Sequence, residues 1–140
     1  LALRPFAEVQ ETLGQALESK GVLRRYWALK VCANFGAKAN PLAKAAEPLL
    51  KDKNLMVRVR AAEFLGSIKA VDPMPTLYGV VNTAETEQAL MIAFNSIVYL
   101  RDQIGHKYDP AKVKVKFNKG AVYRRVQYLA GTEPNTNYLS

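Results

Sequence analysis

The chain holds one cysteine and one histidine in 140 residues, and no run of 18 apolar residues interrupts it. Cys32 alone cannot close an internal disulfide, and Cys32 with His106 supplies too few ligands for a zinc centre. The missing apolar run leaves no candidate for a membrane-spanning helix. Acidic groups are scarce too: 12 against 20 Lys and Arg, a formal charge of +8. That excess is local. Residues 1 to 106 carry 13 basic and 10 acidic groups, residues 107 to 125 carry 7 and 1, and the last fifteen add only Glu133. A near-balanced body is an ordinary solvated surface, so a whole-domain groove for nucleic acid is disfavoured against a charged terminal segment.

What is present is apolar content of 49%, enough for one domain with a real core. The chain begins at Leu1 and not methionine, without a basic, apolar, small-residue leader, and is expected to be a fragment of a longer protein.

From Pro5 to Arg101 the apolar residues recur every three or four positions, so this part is expected to be all helix. A first helix is expected over about 5–19, with Phe6, Val9, Leu13 and Leu17 on one face. A second, about 23–35, places Leu23, Trp27, Val31 and Phe35 on an i, i+4 stripe expected to face inward, flanked by Ala28 and Cys32. Asn40 before Pro41 predicts a third helix over 41–51, bent or shortened by Pro48. A fourth opens near Asn54 and buries Val57, Ala61, Phe64, Leu65 and Ile68. Asp72 before Pro73 starts a short fifth with Leu77, Val80 and Val81, and the spacing of Asn82 and Glu85 suggests a capping box for a sixth, with Ala89, Ala93, Ile97 and Leu100 inward. The hairpins, about 5–36, 41–69 and 73–104, make a helical-repeat domain over 5–104, an α-solenoid. Ala28, Ala61, Ala62, Ala89 and Ala93 let neighbouring backbones approach closely.

After Gly105 the pattern changes. Lys112, Lys114 and Lys116 alternate with Val113, Val115 and Phe117, a period-two signal for a strand over 112–117. A helix over 121–130 follows, with Val122, Val126 and Leu129 inward. Residues 105–130 form a basic tail, and 131–140 are expected to be a flexible C-terminus.

Two segments echo each other at 33 positions: Arg25, Ala28 and Leu29 take the places of Arg58, Ala61 and Ala62. Asp52, Val57, Arg58, Ala61, Ala62, Leu65 and Gly66 fit an Asp-x4-Val-Arg-x2-Ala-Ala-x2-Leu-Gly signature, which resembles HEAT-type repeats related to those of phycobilisome lyases. That resemblance implies an armadillo-like, right-handed α-α superhelix of about three hairpins with a basic strand-and-helix tail. The third hairpin departs from it, lacking the Val-Arg pair at Glu85 and Thr86. The order Arg25-Tyr26-Trp27-Ala28, "LLKDKNLMVRVRAAEFLG", "ALMIAFNSIVYLRD" and "RRVQYL" also resembles the C-terminal helical extension of Bacteroidetes and planctomycete sulfatases. It implies a non-catalytic appendage of a secreted or periplasmic sulfuric-ester hydrolase. Calcium and formylglycine would belong to the missing catalytic domain, and no cofactor or metal site is expected in this fragment. The Cys- or Ser-x-Pro-x-Arg nucleophile motif is absent, since Ala33 and Asn34 follow Cys32. Implied partners are the parent's catalytic domain and sulfated glycan.

Each candidate side chain has a chemical and a structural reading. Arg58 is expected to reach the acid or carbonyl groups of the preceding turn, with Asp52 nearest. Arg24, Arg25 and Arg60 could form an anion-binding ladder, although solvated surface is the better reading. Tyr26 and Trp27 resemble base- or sugar-stacking aromatics, but the apolar stripe assigns Trp27 to the core and leaves Tyr26 the more open. Cys32 is expected to be a small core residue and His106 a capping or surface group. Lys112, Lys114 and Lys116 could neutralise sulfate or phosphate, but read better as guards of an edge strand. Val113, Val115 and Phe117 could dock onto the catalytic domain, and Arg124 and Arg125 add to the basic segment. A DNA glycosylase on a HEAT-like fold is disfavoured, because no acid accompanies the cluster near Tyr26.

Overall fold

In the computed structural model, which describes residues 4–115, 117 and 119–131, the chain is all-helical, and no strand forms among these residues. Helix α1 (Phe6–Leu17) buries Val9, Leu13 and Leu17, the expected stripe. Helix α2 (Val22–Phe35) buries Ala28, Leu29 and Cys32. The expected stripe on α2 is corrected: Leu23 is 69% and Trp27 54% exposed. Helix α2 packs against both α1 and the later helix α4 (Leu55–Ser67). The small face lies between these two neighbours, leaving Leu23 and Trp27 outside, while Val31 and Phe35 of the stripe are half-buried against the first cluster.

The third helix does not form as one piece. A 3₁₀ segment, Gly36–Leu42, leads into the single α-turn α3 (Ala43–Ala46), and a second 3₁₀ segment, Glu47–Lys51, follows. Pro41 and Pro48 lack the N–H that a continuous ladder needs, and each ring crowds the carbonyl four residues back. Asn40 makes no capping bond there. Gly36 turns the chain at φ +61°, a conformation that favours glycine.

Helix α4 begins where the sequence places it. The Asn54 Oδ1 accepts from the N–H groups of Met56 (2.9 Å) and Val57 (3.1 Å), satisfying two free donors of the first turn. This helix is buried on nearly every side: Val57, Ala61, Phe64 and Leu65 join the cluster that α1 and α2 also feed, while Val59 and Ala62 join a second cluster. Burying each large side chain here contributes about 1.5–3 kcal/mol, which makes α4 the central element.

The Asp72 Oδ1 accepts from Met74 N at 3.0 Å and opens α5 (Met74–Thr83), which buries Leu77, Val80 and Val81. Helix α6 (Glu87–Tyr99) is capped by Thr86, whose Oγ1 accepts from Ala89 N at 3.1 Å. The expected Asn82/Glu85 capping box is therefore corrected, because Asn82 still belongs to α5. Ala93 and Ile97 are buried, as are Leu90 and Phe94, and Ala89 is half-buried. A wide π-turn, Leu100–Ile104, ends α6 at Gly105.

The expected strand over 112–117 is likewise corrected. Pro110–Lys112 is a 3₁₀ turn and Val113 is extended, but no second strand lies alongside. The Asn82 side chain takes that place: its Nδ2 donates to the Lys112 carbonyl (2.9 Å) and its Oδ1 accepts from Lys114 N (2.8 Å). One amide group supplies both halves of a strand pairing. Val113 and Val115 are half-buried against the second cluster, while Phe117 is 40% exposed. Asn82→Ala is expected to cost about 1 kcal/mol and to speed exchange of the Lys114 amide, read by native-state hydrogen exchange.

Helix α7 (Gly120–Leu129) packs on α6, burying Val122 and Leu129 in the second cluster. The basic segment is thus seated on the body. The expectation of a flexible 131–140 falls, from residue 132 on, outside the described residues.

Candidate functional site

Two turns, one before α2 and one before α4, share one construction. Arg25 Nη1 donates to the Ser19 carbonyl (3.0 Å), and Arg58 Nε donates to the Asp52 carbonyl; both donors lie six residues after their acceptor. Arg25 is 33 positions before Arg58 and Ser19 is 33 before Asp52, so the sequence echo is also a geometric one. Arg25 further reaches across to the second turn, with Nε donating to Asp52 Oδ2 (2.7 Å) and Nη2 to Oδ1 (3.1 Å). This two-pronged pair lies at the joint, with side-chain exposures of 14% for Arg25 and 7% for Asp52. Asp52 Oδ1 also accepts from Asn54 N at 2.9 Å. Burial pushes the Asp52 carboxyl up, but the Arg25 and Asn54 bonds and the charges of Arg25 and Arg58 outweigh it, leaving the group below its usual value. Arg25 is therefore engaged in the joint and not a solvated surface cation.

A second polar line crosses three helices. Arg60 on α4 donates to Tyr26 Oη (3.1 Å), lies 5.3 Å from that ring's centroid, and pairs with Glu63 (3.1 Å). Ser96 Oγ on α6 donates to Glu63 Oε2 at 2.8 Å, again over 33 positions. Arg60 is half-buried here, so like Arg25 it is not the solvated surface cation expected. Glu63 and Ser96 carried no local sequence signal; only their repeat-length separation hints at the contact.

The expected core role of Trp27 gives way to an open one. An apolar groove of about 300 Å³ runs between α1 and α2, lined by Thr12, Ala16, Leu23, Arg24, Trp27 and Val31, with Leu13 and Ala28. Lys30 Nζ stands 5.2 Å from the Trp27 ring centroid, and Tyr26 meets that ring edge-on at 5.9 Å. Arg24 is exposed and makes no ion pair among the described residues.

Around the C-terminal segment, Arg101 pairs with Asp102 (2.7 Å), donates to the Leu129 carbonyl (3.2 Å) and lies 5.0 Å from the centre of the Tyr128 ring. The Tyr128 hydroxyl donates to Asp102, and that bond is the leading cause of a raised Tyr128 pKa. His106 Nε2 meets the Gly66 carbonyl at 2.7 Å, a capping contact at the end of α4. Lys112, Lys114 and Arg124 are exposed, Arg125 is buried, and Lys116 lies outside the described residues.

Cys32 is fully buried, and burial pushes its thiol up to about 12, far from a reactive thiolate. Among the described residues no three His, Cys, Asp or Glu side chains gather as metal ligands, and no helix is long and apolar enough to cross a membrane. No family model, curated protein or solved structure matches the chain.

Proposed function

We propose that this chain is a non-catalytic interaction module whose hairpins stack as a HEAT-type solenoid, attached to a secreted or periplasmic sulfuric-ester hydrolase acting on sulfated glycan. The observation that carries the module reading is the duplicated joint, in which Arg25 and Arg58 reach carbonyls six residues back at a 33-residue interval. Polar groups that in an enzyme would be aimed at a substrate are here spent on neighbouring hairpins: Arg25 on Asp52, Arg60 on Tyr26 and Glu63. Attachment to a sulfatase rests on the order of motifs in the sequence.

The test is calorimetric titration of this chain with the sulfatase domain placed upstream in the same gene, and with duplex DNA and a heparin-like glycan at two salt concentrations. Saturable binding to the sulfatase domain, with DNA binding weak, is the expected result. Tight DNA binding that falls steeply with salt, and none to the sulfatase domain, would replace this reading with a nucleic-acid-binding repeat.

A further inference from the structure

A polar cleft of about 280 Å³ opens across three helices, lined by Ala33 and Asn34 of α2, Glu63 and Ser67 of α4, and Tyr99 of α6. The 33-residue interval places it there. Ala33, Gly66 and Tyr99 follow one another at that interval, as do Lys30, Glu63 and Ser96, and Asn34 stands 33 before Ser67. Helix α4 packs against both α2 and α6, so these matching positions form one face, with Glu63 and Ser67 between Asn34 and Tyr99. The small side chains of Ala33 and Ser67 leave it hollow.

The cleft is rich in hydrogen-bond acceptors. Glu63 Oε1 receives one bond, from Arg60 Nη1, and keeps a lone pair for a further donor. Ser67 Oγ donates to the Phe64 carbonyl and offers its own lone pairs outward. The side chains of Asn34 and Tyr99 make no hydrogen bond among the described residues, and Tyr99 is 42% exposed. Asn34 and Ser67 lie in the last turns of α2 and α4, whose carbonyl ends add partial negative charge. An anionic group is therefore repelled. A cation would have to share Glu63 with Arg60, which already pairs with it at 3.1 Å.

What remains is a neutral molecule dense in hydroxyl donors, with an apolar ring face to lie on Tyr99. A hexose has both. The volume is at the small end of ligand sites, which suits a single sugar unit. We propose that this cleft binds one uncharged hexose residue of a glycan, its hydroxyls on Glu63, Asn34 and Ser67 and its C–H face on Tyr99. The inference goes beyond the sulfatase attachment and does not rest on it.

The experiment is an NMR titration of the full chain with the methyl glycosides of glucose, galactose and mannose, each to about 50 mM. At least one is expected to bind with a dissociation constant of about 1–10 mM, shifting the Asn34 side-chain amide and the backbone amides of Ser67 and Tyr99. Asn34→Ala and Tyr99→Ala remove exposed groups that have no hydrogen bond to lose, so each should keep the wild-type melting temperature while weakening binding about 5-fold or more. Acetyl-Gly-Ser-Gly-amide and ethylguanidinium, at the same concentrations, should leave these resonances in place. Absence of a shift with all three hexosides overturns the inference, as do shifts confined to other residues, binding undiminished in both variants, or tighter binding of the peptide or the guanidinium.

Discussion

Gly66→Ala is expected to lower the stability of this chain by up to about 2 kcal/mol and its melting temperature by up to about 8 °C. A Cβ on Gly66 would sit 2.6 Å from Cγ and 2.8 Å from Cβ of Pro73, and 3.1 Å from Leu100 Cδ2. The proline ring has no flexible end to swing away, so α5, which it leads, must move. Overpacking of this kind costs about 1–3 kcal/mol, and here it outweighs the roughly 1 kcal/mol that alanine returns in helix propensity. Gly79 on α5 is the control. A Cβ there meets nothing within 4 Å, so Gly79→Ala should stabilise by about 0.5–1 kcal/mol. Opposite signs for two Gly→Ala changes in one protein, read from paired urea titrations, check the packing account. Equal signs would refute it.

Asp52→Ala should be the more damaging change, at about 3 kcal/mol, because it strands a largely buried Arg25 guanidinium and frees Asn54 N. The pH dependence follows from the lowered carboxyl pKa. A depressed folded-state pKa contributes stability that is fully present above the unfolded value, near 3.8, and is lost as the pH falls from there through the folded value. The gap between wild type and Asp52→Ala should therefore be constant from neutral pH down to about 5 and shrink below about 4. Acid-unfolding curves of both proteins supply that measurement. A gap that widens on acidification contradicts the assignment.

Where the governing interaction is local, the sequence was readable. Asn54 caps α4 and Asp72 bonds the first N–H of α5, both near where their spacing suggests, and Arg58 reaches back to its own turn. Where the answer depends on what lies across the fold, it was not. Helix α2 offers two stripes, a bulky one through Leu23 and Trp27 and a small one through Ala28 and Cys32. Hydrophobicity ranks the first higher, yet packing between α1 and α4 selects the second. The alternation at 112–117 is a true extended-chain signal at Val113, but its partner is the Asn82 amide, 30 and 32 positions away from the groups it binds. The pair that joins the hairpins spans 27 positions, and nothing near Arg25 in the sequence points to Asp52. Only the echo between Arg25 and Arg58 told that these arginines belonged to the joint.

That joint is the central claim, and a double-mutant cycle on Arg25→Ala and Asp52→Ala addresses it directly. Because each single change also disturbs separate contacts, Ser19 for one and Asn54 for the other, only the coupling energy isolates the bond across the hairpins. A coupling of about 2 kcal/mol or more, measured by urea denaturation at neutral pH, is the expected result. Additive losses would mean that the pair contributes nothing to holding the hairpins together.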